Sequence, residues 1–234
     1  MPTARSVASI LIGVGLLLGG LTSTAGAAPT SAPAPASSAK VKCVSIKTGF
    51  ARYSRSGSYR TSERRDAKPC AKGGSCVVGD VGPGKGRVFY AARTKQPWGR
   101  YLEAAPNTWL TNEGDPNLTW CSDPVTSVPG TQATGLGDGK ANTAAMLAVC
   151  TTDAAVAASG YRGGGKSDWY LPSRDELRQL FVRKGKVGDF IFHGYWSSSE
   201  SAPDQAWIQD FYADYTPAPT EKGYANYVRP IRAF

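Results

Sequence analysis

GGGKSDWYLPSRDELRQLFVRKGKVGDFIFHGYWSSSE, residues 163–200, holds a glycine-rich turn, a capped amphipathic helix and an aromatic–serine strand. Ser173 and Glu176 form the S-x-x-E spacing of a capping box, so a helix starts at Ser173. Leu177, Leu180 and Phe181 then recur at i, i+3 and i+4 and give that helix one apolar face. Lys184 and Lys186 near its end suit the negative end of the helix dipole. Tyr195–Ser199 reads as a strand. The stretch contains no recognisable set of nucleophile, base and metal ligands.

On the N-terminal side, Asn142 is expected to cap an alanine-rich helix over residues 143–159, with Gly160 as its stop. Met146, Val149, Cys150 and Ala157 are assigned to its inner side. Residues 106–141 are loop-rich and include the glycosylation sequon Asn117-Leu118-Thr119. Strands are expected at Arg87–Ala92 and Arg100–Ala105. The preceding GPGKG, residues 82–86, lacks the spacing and the following helix of a phosphate-binding loop. On the C-terminal side, strands are expected at Ala206–Phe211 and Tyr227–Phe234, with Pro230 confining the last to an edge or a bulge. RVFYAA (87–92) is the expected partner of the terminal strand. Two mid-chain helices bracketed by strands make an α+β domain with a small, mostly antiparallel sheet and its N- and C-terminal strands paired.

Outside this domain the chain changes character. Arg5, the apolar run 7–21 and the small-residue site Ala25-Gly26-Ala27 read as a signal peptide over residues 1–27. The run is shorter than the roughly 20 apolar residues of a membrane span, so the expectation is export with cleavage and no span afterwards. A Pro/Ala/Ser linker follows at 28–39. Residues 40–75 form a basic arm expected to be flexible, ahead of the domain at 76–234. The net charge is +9, and residues 40–72 hold ten Lys/Arg against two acids, while residues 73–234 hold sixteen of each sign. Arg52, Arg55, Arg60, Arg64 and Arg65 could grip a polyanion, since guanidinium forks fit phosphate and sulfate oxygens.

Of five cysteines, Cys70 pairs naturally with Cys76 and Cys121 with Cys150, which leaves Cys43 over. A bridge from Cys43 to Cys70 or Cys76 is a competing arrangement. His193 is the only histidine. A hydrolytic triad would need it together with Ser197, Ser198 or Ser199. Asp168, Asp175, Glu176, Glu200, Asp204, Asp210 and Asp214 offer oxygen ligands, yet no loop has calcium-site spacing. No cofactor is therefore expected, calcium being the one ion these carboxylates could serve. Trp169, Trp196 and Trp207 are assigned to the core. Trp98, Trp109, Tyr212 and Tyr215 lie in segments better suited to exposed ligand contacts.

GDVGPGKGRVFY, LEAAP, ANTAAM, GGGKSDWYLPSRDEL, YWSSSE with a following AW, and VRPIRAF occur in that order over residues 76–234. This series resembles the Lcl C-terminal domain family, named after a collagen-like bacterial adhesin. The resemblance implies a C-type-lectin-like fold and, from the founding adhesin, an association with sulfated polysaccharides. A fold relative, the formylglycine-generating enzymes, needs a cysteine pair on a C-terminal strand, and no Cys follows Cys150 here. No collagen repeat precedes the domain, and the basic arm is not part of the family pattern. The expected function is that of a secreted or cell-surface, non-catalytic module for adhesion. Its expected partner is a glycan, an anionic cell-surface polymer or a surface protein, with no nucleic acid. An exported hydrolase using His193 and a disulfide-linked assembly protein using Cys43 are the alternatives.

Overall fold

The computed structural model describes residues 68–212 and 216–234, together with the backbone of a short ladder that pairs β1 (Ala51–Arg52) with β2 (Arg60–Thr61). The expected signal peptide, linker and Cys43 lie outside the described residues. So do the side chains of Arg52, Arg55, Arg60, Arg64 and Arg65, and Tyr215. No helix among the described residues is long and apolar enough to cross a membrane.

The domain is a mixed α/β structure with mainly antiparallel sheets. β3 (Arg87–Gln96) and β4 (Gly99–Ala104) form a hairpin, and β10 (Ile231–Ala233) adds to the far side of β4, giving the order β10-β4-β3. The terminal strand therefore pairs with RYLEAA, with Ile231 opposite Ala104 and Ala233 opposite Leu102. It does not pair with RVFYAA, the partner expected from the sequence. RVFYAA forms the other edge of the sheet, and part of that edge is closed by residues 79–81, where Val88 N–H donates to Asp80 O.

A second sheet runs β5-β9-β6-β7-β8, built from β5 (Asn117–Leu118), β6 (Gly194–Ala202), β7 (Gln205–Asp210), β8 (Ala218–Glu221) and β9 (Asn226–Tyr227). Its β6–β9 contact is parallel and the others are antiparallel. Pro230 separates β9 from β10, as a residue without an N–H should.

Among the described residues four α-helices cover the sheets: α1 (Gly139–Leu147), α2 (Asp153–Gly160), α3 (Arg174–Val182) and the single turn α4 (Lys184–Val187). α3 carries the expected capping box. Ser173 Oγ accepts from Glu176 N–H, and Glu176 Oε2 accepts from Ser173 N–H at 2.8 Å. The helix expected over 143–159 is two helices. Its chain leaves helical geometry between Leu147 and Asp153, so that Cys150 turns inward to bond Cys121 while Val149 faces solvent. Asn142, expected as a cap, is buried inside α1 and donates to Ala133 O at 2.7 Å.

One apolar cluster gathers Trp120, Met146, the alanines of α2, Trp169 and Trp196. A second packs Phe89 and Leu102 against Leu177, Leu180 and Phe181 of α3 and against Tyr195 and Phe211. The Cys70–Cys76 bridge closes a small satellite core with Val88 and Tyr101.

Candidate binding site

Several charged residues of the signature segments are consumed inside the fold. Arg229 pairs with Asp115, which also accepts from Tyr195 Oη at 2.7 Å and from Trp109 Nε1 at 3.1 Å. Arg232 bridges Glu103 and Asp168. The GPGKG loop closes on the same Glu103 carboxylate, with Gly84 N–H at 2.9 Å and Gly86 N–H at 3.1 Å. Its amides thus serve an internal anion. A Cβ on Gly84 would meet the Glu103 carboxylate at 2.8 Å and Trp169 at 2.6 Å, so only glycine permits this approach. Burial pushes the Glu103 carboxyl up, opposed by Arg232 and the loop amides. Lys222, fully buried, pairs with Glu200 at 3.1 Å and lies over the Trp120 ring. Glu200 also accepts from Ser127 Oγ and Val128 N–H.

Glu176 is buried and makes no ion pair among the described residues. It accepts from Ser173 N–H, from Gly137 N–H at 3.0 Å and from Tyr170 Oη at 3.1 Å. Burial raises its pKa, against those three donors, which favour the ionised form.

These placements decide among the residues singled out in the sequence. Trp109 was expected to be exposed. It is 6 % exposed, because its indole N–H serves Asp115 and Val228 O and its ring packs edge-on against Tyr161, 5.7 Å between centroids. It has no face left for a ligand. Ser197 donates to Trp207 O and Ser199 to Ala133 O, both buried, whereas His193 sits in an exposed loop with its ring 6.1 Å from that of Tyr227. No hydrogen bond joins His193 to these serines among the described residues. Trp169 and Trp196 are core, as expected; Trp207 is half-buried beneath the Arg174 guanidinium, 5.2 Å from its ring. Among the described residues no group of three or more His, Cys, Asp or Glu could hold a metal. Tyr212 is 72 % exposed, with its ring edge-on to Phe192 at 6.4 Å.

Among the described residues, a concave surface lies at the tip of the β3–β4 hairpin. Trp98, half-buried, occupies the turn and is a wall of two clefts. One, of about 410 Å³, is bounded by Tyr90, Arg93, Thr94 and Gln96; the other, of about 200 Å³, by Gly137, Lys140, Asp168 and Tyr170. The indole is held rather than free. It lies on the backbone of Gly137, where a Cβ would stand 2.0 Å from Trp98 Cδ1, and Gly137 takes φ +95. Tyr90 flanks it at 6.1 Å. An anchored, partly wet aromatic between two polar clefts suits stacking on a planar or pyranose face. Trp98 was named from the sequence as an exposed aromatic. Lys140 carried no signal there, because its place in the cleft depends on tertiary contacts with residues distant in sequence, Trp98 and Asp168.

The family model of the Lcl C-terminal domain matches residues 108–232, just over half of the chain. Lys140 and Asp168 lie inside the matched stretch and Trp98 lies N-terminal to it. No curated protein matches the chain.

Proposed function

Because the chain belongs to the Lcl C-terminal domain family, we propose that it is an exported, non-catalytic binding module of C-type-lectin-like fold that recognises a glycan or other cell-surface ligand. The observation that carries this reading is Trp98, anchored on Gly137 and shared by two clefts at the hairpin tip. The structural use of the signature residues supports it, since Ser197 and Ser199 of YWSSSE and both arginines of VRPIRAF are spent on internal bonds. In this reading the basic arm adds attraction to anionic polymers through Arg52, Arg55, Arg60, Arg64 and Arg65, a contribution that weakens as salt rises. Tyr212 is a secondary contact on a separate exposed patch.

A glycan array probed with the full chain and with Trp98→Ala, at low and high salt and with and without calcium, tests the proposal. Loss of signal in the variant is the expected result. Undiminished signal from Trp98→Ala would remove the hairpin tip as the site.

A further inference from the structure

The smaller cleft carries more chemical information than its size suggests. Lys140 and Asp168 both line it, and the two do not close on each other as an ion pair. Asp168 Oδ1 accepts from Arg232 Nε, while Oδ2 has no hydrogen bond among the described residues. Its side chain is 37 % exposed. Lys140 is exposed and makes no ion pair or hydrogen bond among the described residues. The cleft therefore presents one acceptor, one donor and part of an anchored indole within about 200 Å³. That volume is below the usual range for drug-sized ligands, roughly 300–1,000 Å³, and suits one small ring.

We infer that this cleft binds a neutral hexose unit of a glycan, with Trp98, Lys140 and Asp168 as its contacts. The inference rests on the binding-module reading above. Adjacent sugar hydroxyls are each donor and acceptor, so one donates to Asp168 Oδ2 while its neighbour accepts from Lys140 Nζ. The apolar face of the ring packs on the indole. Lys140 and Asp168 are opposite in charge, so the lining carries no net charge that would favour a sulfated, carboxylated or amino-substituted unit. Neutral hydroxyls satisfy both charged groups without introducing a third. The domain cleft then selects a neutral sugar, and attraction to anionic polymers falls to the arm, so the two contributions differ in their response to salt.

Isothermal titration of the full chain with maltotriose, mannotriose, galactotriose and chitotriose, alongside a heparin hexasaccharide, tests this. At least one neutral trisaccharide should bind, with affinity changing less than about threefold between about 0.1 M and about 0.5 M salt. Lys140→Ala and Asp168→Asn should each weaken it about tenfold, the worth of one hydrogen bond to a charged group. Asp168 also holds Arg232, so melting is recorded for each variant. Lys140→Ala, which breaks no internal contact, carries the result if Asp168→Asn unfolds. Neutral binding unchanged in Lys140→Ala overturns the inference. If only the heparin hexasaccharide binds and Trp98→Ala abolishes that binding, the hairpin site stands and the neutral-sugar assignment fails. If nothing binds, or Trp98→Ala leaves all binding intact, both fail.

Discussion

Trp109 Nε1 and Arg229 both donate to Asp115 in a dry site, where burial pushes the carboxyl up and Arg229, Tyr195 and Trp109 oppose that shift. Trp109→Phe keeps the packing and removes one donor from a buried acceptor, which costs about 1–3 kcal/mol. For a domain of this size that is a fall of about 2–4 °C in melting temperature per kcal/mol, with glycan binding unaffected. Glu176 predicts a pH effect instead. Its folded pKa is raised, so its contribution to stability is fully present below the ordinary carboxylate value of 4.5 and is lost as pH rises through the folded value. Glu176→Gln cannot titrate. It will be destabilised overall, because a side-chain amide would face an N–H where a carboxylate oxygen now accepts. The gap to wild type should nonetheless narrow as pH rises from about 4.5 to about 7. Melting curves across that range check both the offset and its slope. A gap that widens with pH contradicts the assignment.

At the scale of elements, α3 was readable because its signal is local. Ser173, Glu176 and the Leu177–Leu180–Phe181 stripe lie within nine residues, and short-range hydrogen bonds and one apolar face suffice to specify a helix start. Ser173→Ala removes the cap and also the bond from Ser173 Oγ to Gly135 O. It should cost about 1–2 kcal/mol, read as a shift in the urea midpoint with an unchanged slope. The long helix expected over 143–159 failed for the opposite reason. An alanine-rich run has good propensity throughout and says nothing about a tertiary demand at Cys150, whose bond to Cys121 spans 29 residues. That bridge was itself legible in the sequence, Cys121 and Cys150 being the natural pair within the core domain. The partner of β10 was not legible. RVFYAA and RYLEAA are equally strand-like, and only the packed sheet order places the second between the first and the terminus. The cleft residues fall in the same class, since Trp98, Lys140 and Asp168 meet only after the hairpin tip folds onto Gly137.

At the scale of the whole molecule, the fold separates what holds the domain from what is left free to bind. The motifs that identify the family supply buried ion pairs, a helix cap and core aromatics. Ser197 and Ser199 of YWSSSE are spent on internal hydrogen bonds, and the proposed binding surface is the hairpin tip together with the arm. Backbone amide hydrogen exchange on the full chain, with and without a saturating neutral trisaccharide, tests that separation most directly. The account predicts slowed exchange confined to residues 96–100 and 137–140, with residues 191–200 unchanged. Slowing centred on His193 and the serines of β6, with none at the hairpin tip, would contradict it.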